Sequence, residues 1–373
     1  MSSIKILHAA DLHLDSAFEG LPAGKAALRR SEQRELLTRL ARLAQTEQVQ
    51  LVLLAGDLLD SENSYYETGE ELSRCLTGIG VPVFIAPGNH DYYSSRSPWA
   101  RLKLPGNVHL FTEHFIRGME LPAMGIRVYG AAFNEKHSGP ILRGFTAERK
   151  EGFKNLLVLH GEVDAREDSL YNPITEAELA ASGMDYVALG HIHKAGGLRR
   201  AGTVWYSWPG CPEGRGFDET GEKTVSIVTL TDDGECSLET RSIAMRRYET
   251  LTVDVTGADA LLAIHTLLPD ESVRDVYRIT LTGEVDEAPD MNRLRQNLGE
   301  LFFELQLRDE TRTHQSLWEK AGDDTLRGLF LKKLKRQYDE APDDSSRREI
   351  EQAARWGLAA LDNREEAVRH EDP

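Results

Sequence analysis

The sequence predicts an α/β fold in which a sheet is covered by helices. Two observations carry that expectation. From the N-terminus to Asp91, short apolar runs alternate with helix-spaced stretches, the pattern of strands and helices stacked in layers. Each apolar run also ends in Asp, His or Asn, and in such sheets sites form beyond the carboxyl ends of the strands.

Ile4–Ala9 is the first buried strand and runs into Asp11-Leu12-His13. Ser31–Gln45 places Leu36, Leu37, Leu40, Leu43 and Ala44 at helical spacing, with Arg34, Arg39 and Arg42 elsewhere. Leu51–Ala55 is a continuous apolar run ending in Gly56-Asp57, and Tyr65–Leu76 is helical in pattern. Val83–Ala86 is a strand closed by a Pro-Gly turn that presents Asn89, His90 and Asp91. Val108–Phe111 and Ile126–Tyr129 read as strands, and Phe133–Arg149 as a loop or lid. Leu156–Leu159 leads to His160-Gly161-Glu162, and Tyr186–Leu189 to Gly190-His191-Ile192-His193. Val204–Tyr206 and Lys223–Leu230 follow as strands.

After Arg246-Arg247 the pattern changes. Glu249–Val255, Val276–Leu281 and Leu301–Leu307 read as strands, and Ala258–Leu268 and Met291–Gly299 as helices. That β-α-β-α-β order predicts a small second domain. Two helices follow. Asp323 and Asp324 open the first, with an apolar stripe of Leu326, Leu329, Phe330 and Leu334; Lys332, Lys333, Lys335 and Arg336 gather toward its end. Ser346-x-x-Glu349 reads as a capping box for the second, striped by Ile350, Ala353, Ala354, Gly357, Leu358 and Leu361. The expected domains are therefore 1–245, 246–310 and 311–373.

Composition narrows the setting. The chain has 373 residues, 40% hydrophobic and 28% charged, with a net charge of −17. That balance suits a soluble protein and argues against an overall basic surface for nucleic acid, so any such binding must be local. Three scattered cysteines suggest neither disulfides nor a thiolate metal site, and a cytoplasmic, reducing setting follows. No signal peptide or membrane span is expected.

The strand ends together supply Asp11, His13, Asp57, Asn89, His90, His160, His191 and His193. Singly, Gly56-Asp57 and Gly88-Asn89 are ordinary turn dipeptides and a lone histidine is usually structural. Their shared position at strand ends is what points to a site. The donors are nitrogen and oxygen only, a set for Mn²⁺, Fe²⁺, Zn²⁺ or Mg²⁺, and too many for one ion. Asp57, central in the series, is the natural bridge. Two such ions can clamp a phosphate and stabilise the charge of a displacement. His90 is then free to protonate a leaving alkoxide, with Asp91 holding its imidazole. Asp60 can touch metal-bound water or simply cap a helix.

Asp11-x-His13, Gly56-Asp57, Gly88-Asn89-His90-Asp91, His160 and Gly190-His191-x-His193 resemble the motif series of the calcineurin-like metallophosphoesterases. The resemblance covers about the first 230 residues. Within that superfamily, ADLHLDSAFEGL (residues 10–21) and the stretch from Gly214 to Lys223 are similar to the SbcD-type DNA repair exonucleases, especially the YhaO-like branch. The resemblance implies an α/β (α+β) fold: an αββα sandwich with a small C-terminal βαβαβ capping domain and a terminal helical pair. It implies two Mn²⁺ ions, one held by Asp11, His13, Asp57 and His193, the other by Asp57, Asn89, His160 and His191. His90 would be the proton donor and Asp91 its orienting partner. Phosphatases of the superfamily are expected to carry an arginine after the second aspartate of Gly-Asp-x-x-Asp; here Asp60 is followed by Ser61-Glu62.

The implied activity is a Mn²⁺-dependent DNA exonuclease, with hydrolysis of small or cyclic nucleotides as the alternative enzyme and a metal-stabilised scaffold as the non-enzyme alternative. The implied partners are DNA and an SbcC-like SMC/ABC-type coiled-coil ATPase docked on the terminal helices; a homodimer is also admitted. Tyr92, Lys194 and Arg199 are the candidate substrate contacts, because they follow the Asn89 and His193 tips. Arg29, Arg30, Arg34, Arg39 and Arg42 fit mostly one solvated helix face, and Trp205 and Trp208 fit the sheet.

Overall fold

The computed structural model of the chain describes residues 3–60, 65–166, 168–269, 272–313 and 317–361. Ser61 and Glu62, and the end of the terminal segment from 362 to 373, lie outside the described residues. The chain divides into two compact units, Met1–Glu249 and Thr250–Pro373.

The first unit holds two six-stranded sheets. In the first sheet β1 (Ser3–Ala9), β2 (Leu51–Leu54), β3 (Val83–Ile85) and β4 (Val108–Leu110) run parallel. The second sheet starts with β5 (Arg117–Leu121), β6 (Ile126–Gly130) and β7 (Lys154–His160). After a short pair, β8 (Glu162–Val163) and β9 (Pro173–Ile174), it continues with β10 (Tyr186–Gly190), β11 (Gly197–Ala201) and β12 (Val204–Trp208). The order is β11-β12-β10-β7-β6-β5. The chain then returns to the first sheet, where β13 (Val225–Thr231) pairs antiparallel with β1, and β14 (Cys236–Arg241) forms the edge.

Strand alternation explains the layers, because successive side chains point to opposite faces. Ile6, Leu51, Leu53 and Phe84 meet Leu156, Val158, Tyr186 and Ala188 between the sheets. On the outer face of the first sheet, Leu7, Val52, Leu54, Val83 and Ile85 pack on helices α1 (Ala23–Thr46) and α2 (Tyr66–Ile79). The other face of the second sheet buries Leu157, Leu159, Val187 and Leu189 with Leu179 of the short helix Glu176–Ala181. The layers are helix, sheet, sheet, helix, as the sequence implied. Trp208 is buried in the second sheet and Trp205 partly so.

One arginine departs from expectation. Arg29 is wholly buried, not solvated. It pairs with Glu32 at 2.7 Å and with Glu213 at 2.5 Å, as an enclosed charge must.

A buried histidine gives this unit a defined acid response. His8 Nε2 lies 3.1 Å from the Leu189 carbonyl, so Nε2–H donates there; Nδ1 then accepts from the Tyr186 hydroxyl at 2.8 Å. Burial pushes the imidazole down to about 3. The folded value lies below the unfolded one, so this stability is intact above about pH 6.5 and is lost as pH falls toward 3. The full loss is roughly 5 kcal/mol at about 1.4 kcal/mol per pH unit. His8→Gln should flatten the fall in unfolding free energy between pH 6.5 and 4 by about one proton, measured by urea titration at each pH; an unchanged slope would sink the assignment.

The second unit contains the order β15 (Tyr248–Asp254), helix Ala260–Leu267, β16 (Val276–Thr282), helix Met291–Leu298, β18 (Glu304–Asp309). The short strands β17 (Glu284–Val285) and β19 (Arg312–Thr313) pair beside it. Val253, Ile264, Ile279, Leu281, Leu294, Leu298 and Phe302 form its core. A cavity of about 1020 Å³ here is lined by Asp259, Glu284, Asp286, Asp290, Arg293 and Arg347 among others, and by none of the strand-end donors. The terminal helices span Leu326–Asp339 and Asp344–Leu361.

Their details correct the sequence reading. Thr325, not the aspartates before it, caps the first helix through Gly328 N–H. Asp343 caps the second through Ser346 N–H at 2.8 Å, so Ser346 lies inside the helix and forms no capping box. Leu331 and Ala354 are buried, and Phe330 packs on Gly357. Leu326 and Leu329, 73% and 57% exposed, face outward, as does Trp356. No helix among the described residues is long and apolar enough to cross a membrane.

Candidate metal centre

The loops after β1 and β2 continue side by side beyond their strands. Asp11 N–H donates to the Gly56 carbonyl at 3.0 Å and His13 N–H to the Asp57 carbonyl at 2.9 Å. Gln33 of α1 donates to the Leu12 and His13 carbonyls and fixes the first loop from outside. Asp11, His13, Asp57 and His191 all have positive φ, at 54°, 43°, 50° and 90°. Non-glycine residues held there are strained by roughly 1–3 kcal/mol each, a feature that clusters at functional sites.

The donors meet in two groups. Asp11, His13 and His193 form one; Asp57, His160 and His191 form the other. Asn89 joins the second, with Oδ1 3.0 Å from His160 Nε2 and 3.1 Å from His191 Nδ1. Asp57 Oδ2 stands between the groups, 3.3 Å from His160 Nε2 and 3.7 Å from His13 Nε2. A third grouping joins His90 to His13 and Asp57.

The outward nitrogens decide which inward ones are bare. His160 Nδ1 is 2.9 Å from the Ala55 carbonyl, His191 Nε2 is 3.0 Å from Glu162, His13 Nδ1 is 2.9 Å from Asp60, and His193 Nδ1 is 2.6 Å from Glu219. Each of these partners accepts, so in the neutral rings the outward nitrogen carries the proton; at His193 Nδ1 the 2.6 Å Glu219 carboxylate prevails over Arg215 Nη2, which lies 3.2 Å from the same atom. His13 Nε2 and His193 Nε2 then face each other at 3.1 Å as two lone pairs. His160 Nε2 and Asn89 Oδ1 do the same. Donor atoms converge at this distance only around a positive charge, a shared proton or a metal ion. The set fits two divalent cations.

The electrostatics show what an ion would have to displace. Burial opposes charge on His160, but the Asp57 and Asp11 carboxylates outweigh it and push its imidazole up to about 9, so with no cation its Nε2 holds a proton that a metal would replace. Burial also works against the Asp57 carboxylate, yet the His160, His13 and His90 imidazoles hold it below the usual carboxylate range. Burial lowers His13 to about 4. A neutral imidazole is the form that binds a metal.

The structure therefore brings together Asp11, His13, Asp57, Asn89, His160, His191 and His193. His90 stands at the rim, its side chain 43% exposed, ring centre 4.7 Å from that of His13. Asp91 does not serve His90. Its buried carboxylate accepts from the backbone N–H of Asp57, Leu58, Leu59 and Gly88. That is the stronger use of an enclosed carboxylate, because four amide donors would otherwise be unsatisfied. The His90 ring is held instead by Asp60, with Nδ1 3.2 Å from its carbonyl oxygen. Asp60 is no helix cap either, since its carboxylate faces His13 and Arg215. Lys194 is exposed just past His193. Arg199 lies on β11 over the Trp208 ring, and Tyr92 is half-buried beside the Asn89 tip.

Four contributors have no site role in the sequence reading: Glu162, which ends the His160 strand motif, Arg215 and Glu219 within the Gly214–Lys223 stretch, and Tyr171, whose ring stacks on His191 at 4.9 Å. Glu162 carried a signal, two residues after His160 on extended chain.

The calcineurin-like phosphoesterase family model matches residues 4–195. An uncharacterized metallophosphoesterase YhaO of Bacillus subtilis is 31% identical over 72% of this chain and 68% of its own length. A subunit of the nuclease SbcCD from the same organism is 27% identical over 60% of this chain and 66% of its own. The DNA double-strand break repair protein Mre11 of Methanosarcina mazei is 28% identical over 69% of this chain, which spans only 41% of that relative. The chain thus belongs to the calcineurin-like phosphoesterases, metal-dependent hydrolases of phosphoester bonds.

Proposed function

We propose that this protein cleaves phosphodiester bonds in DNA with two Mn²⁺ ions, as the exonuclease component of an assembly with an SMC-like coiled-coil ATPase. The observation that carries the reading is the convergence of nitrogen and oxygen donor atoms in two groups about Asp57 Oδ2. Asp11, His13, Asp57 and His193 would hold one ion, and Asp57, Asn89, His160 and His191 the other. The ions would supply electrostatic stabilisation of the phosphoryl oxygens and activation of water. Relatives named as nuclease and break-repair proteins support DNA as the substrate. Tyr92 and Lys194, with Arg199 further along β11, are the proposed DNA contacts.

His90 is the proposed proton donor. Its exposure lets it reach a leaving alkoxide, while Asp60 steadies its Nδ1. His90→Ala should lower turnover of linear DNA by about 10²–10⁴-fold with Mn²⁺ content unchanged. Loss of an ion together with activity would reassign His90 as a ligand. A Mn²⁺-dependent assay on linear duplex, single-stranded DNA and cyclic nucleotides tests the substrate; preference for the cyclic nucleotides would overturn the DNA reading.

The domain proposal is 1–245 catalytic, 246–310 capping and 311–373 partner-binding. The outward Leu326, Leu329 and Trp356 support the last part. Removing 311–373 should abolish co-purification with the ATPase, and unchanged binding would refute the assignment.

A further inference from the structure

We propose that Arg215 is a positioning residue of the metal centre, its one guanidinium bracing both carboxylates that orient the His13 and His193 imidazoles. This rests on the two-ion reading above and concerns one ion only.

Asp60 takes His13 Nδ1–H at 2.9 Å, and Glu219 takes His193 Nδ1–H at 2.6 Å. These carboxylates come from different loops, one after β2 and one after β12. Arg215 spans them. Its Nη1 donates to Asp60 Oδ1 at 3.3 Å, its Nη2 to Glu219 Oε1 at 2.7 Å and its Nε to Glu219 Oε2 at 3.3 Å. The side chain is only 20% exposed, so these are shielded, charge-assisted bonds. A planar fork can serve two carboxylates at once, whereas a lysine acts as a point charge.

The brace is itself anchored. Buried Arg29 of α1 pairs with Glu213 at 2.5 Å and donates to the Gly214 carbonyl at 3.3 Å. Arg215 N–H donates to Glu219 Oε2 at 2.8 Å. The same helix fixes the His13 loop through Gln33. One rigid element thus sets the spacing of the His13 loop and the loop that carries Arg215. The other donor group is held differently: His160 leans on the Ala55 carbonyl and His191 on Glu162.

That difference makes the proposal selective, and the test uses it. Mn²⁺ is titrated calorimetrically into the full chain, and the electron paramagnetic resonance signal separates a coupled ion pair from a single ion. Arg215→Met should weaken one ion by about 10–100-fold, turn the coupled signal into a single-ion one and leave the second ion bound. Arg215→Lys should fall between Met and wild type. Glu162→Gln should weaken the other ion instead. Glu219→Gln keeps an acceptor for His193 but loosens the guanidinium pair, and should weaken the same ion as Arg215→Met; it decides the matter if Arg215→Met does not fold. Two ions bound at wild-type affinity in both variants would overturn the proposal. So would loss of both ions in step with the melting temperature, which is the mark of a merely structural role. A wild type binding fewer than two Mn²⁺ would overturn the two-ion reading itself.

Discussion

Asp57→Asn should lower Mn²⁺-dependent diester hydrolysis by roughly a thousandfold and reduce bound Mn²⁺ from two to one or none. Asp57 Oδ2 is within 3.3 Å of His160 Nε2 and 3.7 Å of His13 Nε2, one imidazole from each donor group. Its other oxygen accepts from His90 N–H at 2.9 Å. Whichever way the asparagine amide turns, one contact is spoiled. With Nδ2 inward, two hydrogens point where a cation must sit. With Nδ2 outward, the His90 amide meets a donor and the loop carrying Asn89 and His90 shifts. Either way a full negative charge is gone. Breaking a buried charged contact by removing one partner is worth about 3–5 kcal/mol, and every 1.4 kcal/mol is tenfold in rate. Metal analysis of the purified variant beside steady-state rates checks both parts. A variant with two ions and more than a tenth of wild-type rate would refute the bridging role.

Gly190→Ala should be the most damaging single methyl in the first unit. A Cβ there would lie 1.8 Å from the Ala55 carbonyl oxygen and 2.8 Å from His160 Nδ1. Those two atoms bond each other at 2.9 Å, so the methyl would enter the bond that orients His160. The carbonyl is backbone at the end of β2 and β10 is buried throughout, so neither side can yield cheaply. Overpacking a close-packed interior costs about 1–3 kcal/mol, more when backbone must move. With backbone on both sides the upper end, about 3 kcal/mol, applies; at roughly 2–4 °C per kcal/mol for a unit of this size, a fall of about 6–12 °C in melting temperature is expected, together with loss of the ion His160 would hold. A melting curve within 2 °C of wild type would show that the sheets have slack the structure does not display.

The layers and the inner donors were legible because both obey local rules. Continuous apolar runs mark β2, β3, β7 and β10 as strands buried on both faces, and a polar residue just past an apolar strand can only sit at its end. Asp11, His13, Asp57, Asn89, His160, His191 and His193 were therefore readable as a group. What lay behind them was not. Adjacency in the chain suggests that Asp91 orients His90, yet its carboxylate answers amides of the Asp57 loop. Arg29 had a charge that suggested solvent until Glu213, distant in sequence, was placed against it. Arg215 and Glu219 have no periodicity to announce them, since loops pack by contacts made after the sheets have formed. Ser346 matched a capping box in spacing, but Asp343 starts the helix sooner.

The four left-handed residues of the candidate metal centre would give the first unit an unusual dependence on its surroundings. Asp11, His13 and Asp57 belong to one sheet and His191 to the other, so ions gripped between them would fasten the sheets like a reversible cross-link. A species that binds only the folded state adds RT ln(1 + [L]/Kd) to its stability. Ions bound there would offset the strain of these loops, and the unit's stability would then follow the free divalent metal concentration. Where the metal is scarce, the same loops would be the first part of this unit to open, and folding and catalysis would fade together.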